Sequence, residues 1–414
     1  MIFGLLLLAQ RNYLMIFMSF WYLLILSDNF YLEFATQVKP LYMVIVFIGG
    51  LMIYRQYGYT NHVLRNLTPF LLLAMAMVFV SPDLGLSARK YLSYCLLVIS
   101  APFYMKYFTE HQPRTALKGI VTFSALIIIS CLVFGSISEY GISHGGRLRG
   151  IFGNPNGLAM YCLFTLLFFE TVKSKLEDKG FGRRERIFFY LIVIVTLLYS
   201  GSRAALMSVL IFYVFNYITS RISLAVGLLM VGTLIFVYDF VLEAGVYVLT
   251  EVGLQDELRL EGSQGVETGS GRLIAWRFAW EEIQKNFFLG RGWAYDEIWI
   301  FGPIQILLET LNHQGGVHNT YLIVWLNNGL IGLILFLGGL LATFTRAAKK
   351  SKLAFPALYA AFFQANFEPW LGASLNPYTV IFFMTVTLQL SELKWEEVEE
   401  KIPAFVSGTL KRQF

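Results

Sequence analysis

Apolar runs of membrane length recur along this chain, separated by short polar breaks. Their spacing predicts twelve spanning helices, over about residues 13–28, 39–54, 66–81, 90–106, 116–134, 154–173, 186–201, 203–219, 222–240, 318–344, 353–368 and 374–391. Each approaches the roughly 20 mostly apolar residues that cross a hydrocarbon core. The pattern breaks at length only over 241–317, where charges, tryptophans and glycines mix. Within that stretch Gly271–Asn286 (GRLIAWRFAWEEIQKN) repeats Leu273, Trp276, Trp280 and Ile283 at helical spacing, which predicts an amphipathic helix. Ser270 and Gly271 suit its start, and the preceding ELRLEGSQGVETGSG run reads as polar loop. Met1–Leu8 is apolar but has neither a basic leader nor a small-residue cleavage site. It is expected to be retained, lengthening the first span or lying along the interface. The organisation is therefore an all-α polytopic membrane protein. Residues 1–240 carry helices one to nine, 241–317 form one large loop, 318–391 carry helices ten to twelve, and 392–414 form a tail.

Composition strengthens this picture. The 414 residues are 57% hydrophobic and 14% charged, with mean hydropathy +0.60, whereas soluble domains carry about a quarter charged residues. The net charge of +5 does not signal nucleic-acid binding. Lys and Arg cluster in short loops, the pattern that sets membrane orientation. A cytoplasmic N-terminus puts Arg55, Arg65, Lys106, Arg114, Lys118, the KSKLEDKGFGRRER run (Lys173–Arg186), Arg221, Arg346, Lys349, Lys350 and Lys352 inside. Twelve spans then return the C-terminus to the cytoplasm with Lys411 and Arg412, and leave the long loop outside. The opposite loops are poor in such residues apart from Arg89, Lys90, Arg147 and Arg149. Cys95, Cys131 and Cys162 lie in apolar runs, an odd number that argues against a disulfide framework. No metal-ligand spacing and no phosphate-binding loop occur, so neither a metal nor a cofactor is expected.

Candidate chemistry gathers at the predicted outer ends. His318, in GGVHNTYL, stands where the polar loop meets the tenth span. A histidine titrates nearest neutrality, and a helix N-terminus disfavours its cation, which suits a proton acceptor. Gly315-Gly316 allows close approach of backbone to a ligand, and His313 is a second histidine in the loop. Arg203, in YSGSRAAL, falls between two spans, where an arginine pairs, lines a wet cavity or snorkels. Arg272 opens the amphipathic helix, with Arg277 further along it and Arg291 beyond it in LGRGW. Guanidinium groups clamp phosphates through paired hydrogen bonds. The competing reading is a solvated helix face paired with Glu281 or Glu282. Asn154-Pro155, in RLRGIFGNPNGLA, is a helix start, and its neighbouring arginines read most simply as stray charges. Glu368, in NFEPW, is the isolated acid near the outer end of the eleventh span.

In order, GIFGNPNGLA, SGSRAAL, SGRLIAW with LGRGW, HNTYL with NNGLIGL, and the late Asn376-Pro377 resemble the O-antigen polymerase and O-antigen ligase superfamily of bacterial envelope glycosyltransferases. The likeness covers about residues 145–380. It implies a membrane glycosyltransferase (GT-C-like) fold with one large periplasmic loop, both termini cytoplasmic, in the bacterial inner membrane. It implies metal-independent, inverting transfer of a glycan from a polyprenyl-pyrophosphate carrier to an acceptor sugar, most simply polymerising surface polysaccharide, or else ligating it to lipid A core. The family's essential histidine falls on His318 and its two arginines on Arg203 and Arg272. Arg291, Arg277, Asn154, Asn319 and Glu368 are then candidate substrate-binding residues. Partners expected are the lipid-linked donor, a glycan or lipid-linked acceptor, the bilayer and a chain-length regulator, with no nucleic acid. A flippase or other transporter would share the span count, but would place its site near the midplane and has no need of the large outer loop.

Overall fold

A computed structural model describes residues 2–29, 32–143, 146–177, 180–218, 221–251, 272–300, 316–372 and 375–393. Every one of the twelve predicted apolar segments is helical. They are α2 (Tyr13–Leu26), α3 (Glu33–Tyr57), α4 (His62–Val80), α5 (Leu84–His111), α6 (Pro113–Ile137), α7 (Pro155–Leu176), α8 (Arg183–Ser200), α9 (Arg203–Ile218), α10 (Leu224–Glu251), α13 (Thr320–Ala348), α14 (Ala354–Ala365) and α15 (Pro377–Leu390). The first residues form a separate short helix, α1 (Ile2–Ala9), and the long loop contributes α11 (Arg272–Lys285) and α12 (Tyr295–Ile300). Side chains at the starts fix several boundaries. Asn61 and Asp83 accept from Leu64 and Leu86 N–H to cap α4 and α5, and Asn376 caps α15 through Tyr378 and Thr379 N–H. The ninth segment continues to Glu251, past residue 240, because VLEAGVYVLTE is built mostly of residues that a helix tolerates.

Five helices, α3, α4, α6, α7 and α13, are long and apolar enough to cross a membrane by length and composition. Two helices, α7 among them, report the bundle's centre. All of α15, and nearly all of α7, are buried around their circumference, the mark of a helix surrounded by others. Large apolar side chains on the outer helices stay uncovered, with Phe79 76%, Leu229 71% and Phe236 91% exposed. In lipid that exposure has no cost, since the driving force for burying them exists only in water.

The sequence NNGLIG breaks α13. Gly329 has φ 68° and ψ −178°, outside helical space. In an unbroken helix Leu330 and Ile331 N–H would bond Leu326 and Asn327 C=O. Here all four groups reach the Phe287–Gly292 loop. Leu330 and Ile331 donate to the carbonyls of Phe287 and Phe288, while Leu326 and Asn327 accept from Arg291 and Gly292 N–H. The loop's glycines permit the contact. A Cβ on Gly290 would meet Gly329 N at 2.5 Å, and one on Gly329 would meet Phe288 O at 2.1 Å. The LGRGW loop thus wedges into the bundle. Trp293, 5% exposed, lies among Phe70, Tyr91 and Tyr94, and its N–H donates to Met77 O. Asp296 closes the seat, its N–H and carboxylate both bonded to the Asn327 amide. Burial, then the neighbouring Glu297, push the Asp296 carboxyl up to about 6.

Two outcomes follow for thermal unfolding of the purified protein. Gly329→Ala should lower stability by at least about 1–3 kcal/mol, the cost of placing a side chain in glycine-only backbone space. For Asp296 the folded pKa lies above the unfolded one, so the folded state holds the extra proton. Its contribution is full below about pH 4 and declines as pH rises through about 6. Melting should fall between pH 5 and 7.5 in the wild type and fall less in Asp296→Asn.

Candidate active site

His318 stands directly before α13, in a turn built from unusual backbone. Gly316 has φ +82° and His318 itself φ +47°, a region that L side chains rarely occupy. Three contacts hold the turn. Trp276 on α11 donates to Val317 O at 2.8 Å, and Val317 is fully buried against Ala279, Ile283 and Leu326. Asn319 accepts from Tyr321 and Leu322 N–H to cap α13, and donates to Asn366 Oδ1 at 3.1 Å. Thr320 Oγ1 donates to Glu368 O at 2.9 Å. The imidazole remains partly open, with 36% of its side-chain surface accessible.

Glu368 meets the ring. Its Oε2 lies 3.4 Å from His318 Nδ1, and only 8% of its side chain is exposed. A carboxylate at Nδ1 favours the tautomer with the proton there, leaving the Nε2 lone pair to accept another. Glu368 Oε1 accepts from Asn156 Nδ2 at 2.9 Å, and Asn156 Oδ1 accepts from Arg147 at 2.8 Å. Arg147 also donates to Ser200 O at 2.7 Å and lies across the left-handed turn at Gly201, where an added Cβ would approach its Nε to 3.3 Å. Hydrogen bonds thus run from Arg147 through Asn156 and Glu368 to His318. Arg147 belongs to a small hairpin, bridged between Ile142 and Leu148, that docks on α8 through Leu148 N–H to Tyr199 O.

Arg203 opens α9 immediately after the Gly201 turn. It makes no hydrogen bond or ion pair with any described residue, and it is half-buried. The Ser208–Gln364 hydrogen bond sets the register of α9 against α14. It brings the start of α9 to the end of α14 from which Glu368 follows. Arg272 is the first residue of α11, but its side chain lies outside the described residues, as do His313, Gly315, Ser270, Gly271 and the ELRLEGSQGVETGSG run.

The remaining sequence candidates have other engagements. Arg291 bonds Glu282 at 3.0 Å and lies over the Tyr295 ring. Burial raises the Glu282 carboxyl, yet Lys285 and Arg291 hold it below the ordinary value. Arg277 faces Glu281 at 3.5 Å on an open surface, 82% exposed, the solvated pairing expected of a helix face. Asn154 caps α7 by accepting from Gly157 N–H at 2.7 Å, and Asn319 is 4% exposed with its amide oxygen and nitrogen both bonded. Sequence reasoning read Arg147 as a stray charge and passed over Asn156 and Asp28. The second asparagine of the NPN triplet was the one signal for the relay. Asp28 accepts from Gly153 N–H at 3.1 Å behind the start of α7.

The described residues are almost entirely helical, several of the helices are of membrane length, as in a membrane protein, and the polar cluster around His318 lies at one end of the bundle. Residues 188–337 match the family model of O-antigen ligase, which supports the likeness to the O-antigen polymerase and ligase superfamily. The matched segment includes Arg203, Arg272, Arg291 and His318, and excludes Arg147, Asn156 and Glu368. A search of curated proteins finds no match to this chain.

Breaking the relay at its far end should misplace the carboxylate without emptying the site. Arg147→Met is expected to lower glycan transfer by up to about a hundredfold, the scale of a catalytic group displaced by about 1 Å. Asn156→Ala should act similarly, and the two together no worse than either alone. The check is product formation set against unchanged helix content by circular dichroism.

Proposed function

We propose that the protein transfers a glycan from a polyprenyl-pyrophosphate carrier to the hydroxyl of an acceptor sugar at the outer face of the bacterial inner membrane. The observation that carries the reading is the His318–Glu368 pair, partly open beside the start of α9. The O-antigen ligase match over residues 188–337 supports a glycan-transferring envelope enzyme. In the reaction His318 Nε2 removes the acceptor hydroxyl proton as that oxygen attacks the anomeric carbon. The bond from that carbon to the diphosphate oxygen breaks, and the lipid diphosphate leaves with the electron pair. Attack opposite the leaving group inverts the anomeric centre. Negative charge grows on the diphosphate, and Arg203 and Arg272 are the cations proposed to meet it. These arginines do the work that a metal ion does in other phosphate-leaving reactions, so transfer is metal-independent. Glu368 orients the base and stabilises the imidazolium that forms. Arg291 and Arg277, held by Glu282 and Glu281, support the fold of the loop helix under this reading.

Twelve membrane crossings with both termini cytoplasmic and His318 facing the periplasm fit the distribution of charge. Lys106, Lys175, Arg346 and Lys350 gather at the end of the bundle away from His318, as expected of a cytoplasmic side. The acceptor is another lipid-linked repeat unit in the polymerase reading. The family's description favours a second reading, in which the acceptor is lipid A core. A chain-length regulator would be a partner only in the first.

The test is purified full-length protein in vesicles with a polyprenyl-diphosphate-linked oligosaccharide. His318→Ala and Arg203→Ala should each lower transfer by about 10²–10⁴-fold while the fold persists. Activity retained in both would sink the mechanism. Ladders of repeat units identify a polymerase, and product on added lipid A core identifies a ligase.

A further inference from the structure

The starts and ends of four helices meet at the end of the bundle opposite His318. They leave a cavity of about 200 Å³, lined by Thr60, Asn61, His62, Lys106, Lys350 and Ser391 among others. No acidic residue lines it among the described residues. Cations stand at its wall and behind it. Lys106 comes from α5 and Lys350 from the end of α13. Arg346 stands behind His62 with its guanidinium 2.7 Å from His62 Nδ1, and Lys175 donates to Ser391 O at 2.7 Å. Since Arg346 can only donate, His62 accepts at Nδ1 and carries its proton on Nε2, as a further donor. α4 begins in the same wall, so the positive end of a 19-residue helix, capped by Asn61 at Leu64 N–H, adds to the local potential. Against these stand two carboxylates. Glu110 bonds Lys106 at 3.0 Å, and Glu392 bonds Lys350 at 2.8 Å from a position 79% exposed.

A cavity of mixed lining, with Val63, Pro102 and Leu390 beside the donors and more cations than carboxylates around it, matches what a phosphate monoester or diester requires. It has charged ammonium groups, neutral N–H donors and a helix N-terminus converging on one volume. Basic pockets between spanning helices on the cytoplasmic side recur as sites for anionic head groups. We propose that this cavity binds a phosphate group, either that of an anionic phospholipid head group or that of a soluble phosphate compound. The site is separate from the reaction centre, at the far end of α13. It requires only the observed geometry and does not depend on the proposed transfer reaction.

The test uses the purified full chain. One arm titrates inorganic phosphate. The other compares vesicles of phosphatidylcholine with vesicles of phosphatidylcholine containing phosphatidylglycerol. Binding is read by native mass spectrometry of retained lipid and by the shift in melting temperature. The double variant Lys106→Gln/Lys350→Gln should lower affinity for the bound species by roughly tenfold to thirtyfold, from about one interaction lost per lysine. The variant Arg183→Gln/Arg184→Gln, at the exposed first turn of α8, should leave it unchanged. Loss in the phosphatidylglycerol arm alone identifies a head-group site, and loss in the inorganic phosphate arm identifies a soluble ligand. Equal binding by wild type and the cavity variant overturns the proposal, as does an equal loss in the Arg183/Arg184 variant, which would mean general surface charge. Should the lysine pair fail to fold, Lys350→Glu alone serves, with the same readings.

Discussion

Inside an apolar bundle every peptide group must find its partner within the protein, and the break in α13 is where that demand shapes the rest. A glycine in non-helical space frees two carbonyls and two N–H groups, and the LGRGW loop takes up all four. The loop is thereby tied to the helix that begins at the His318 turn. From it α11 is placed so that Trp276 can hold Val317. The backbone at His318 is strained, with φ +47°, and it persists because Asn319, Thr320 and Trp276 all pin its surroundings. Glu368 reaches the same place from α14 through a carbonyl that Thr320 holds. A local shortage of hydrogen-bond partners, solved once, therefore fixes the position of the candidate base.

Much of the fold was legible. Twelve apolar segments were read and twelve helices stand at those places, because hydropathy over membrane length is a strong and local signal. His318 was legible as chemistry for a related reason: a polar residue at the edge of an apolar run is conspicuous. Glu368 stood out likewise, although its partner lies fifty positions away in sequence. What the chain order hides is pairing. Nothing near Arg147 announces Asn156 as its acceptor or Ser200 as its anchor, and Asn156 meets Glu368 across 212 positions. Such bonds depend on which helices adjoin, and that is decided by packing. Arg291 illustrates the reverse case. It had two readings, a phosphate ligand or a partner of Glu281 or Glu282, and in the structure it bonds Glu282 while the neighbouring glycines serve the wedge.

The two ends of the bundle use charge differently. Around His318 charges are few: Glu368 and Arg147 are held by specific polar neighbours, and Arg203 has no partner among the described residues. At the far end four cations face two carboxylates around a cavity. α13 links the two, running from the His318 turn to Lys350. Its one departure from helical geometry lies between them.

The relay also sets limits on how the chain can be divided. The segment that matches the O-antigen ligase family ends inside α13. The carboxylate against the imidazole comes from after it, and the amide and guanidinium that steady the carboxylate come from before it. A chimera that exchanged only this segment with a distant homologue would carry over the imidazole and leave behind the groups that aim it. The hydrogen-bonded chain from Arg147 to His318 is longer than the stretch that sequence comparison detects, and it extends from the residues ahead of α7 to the turn that follows α14.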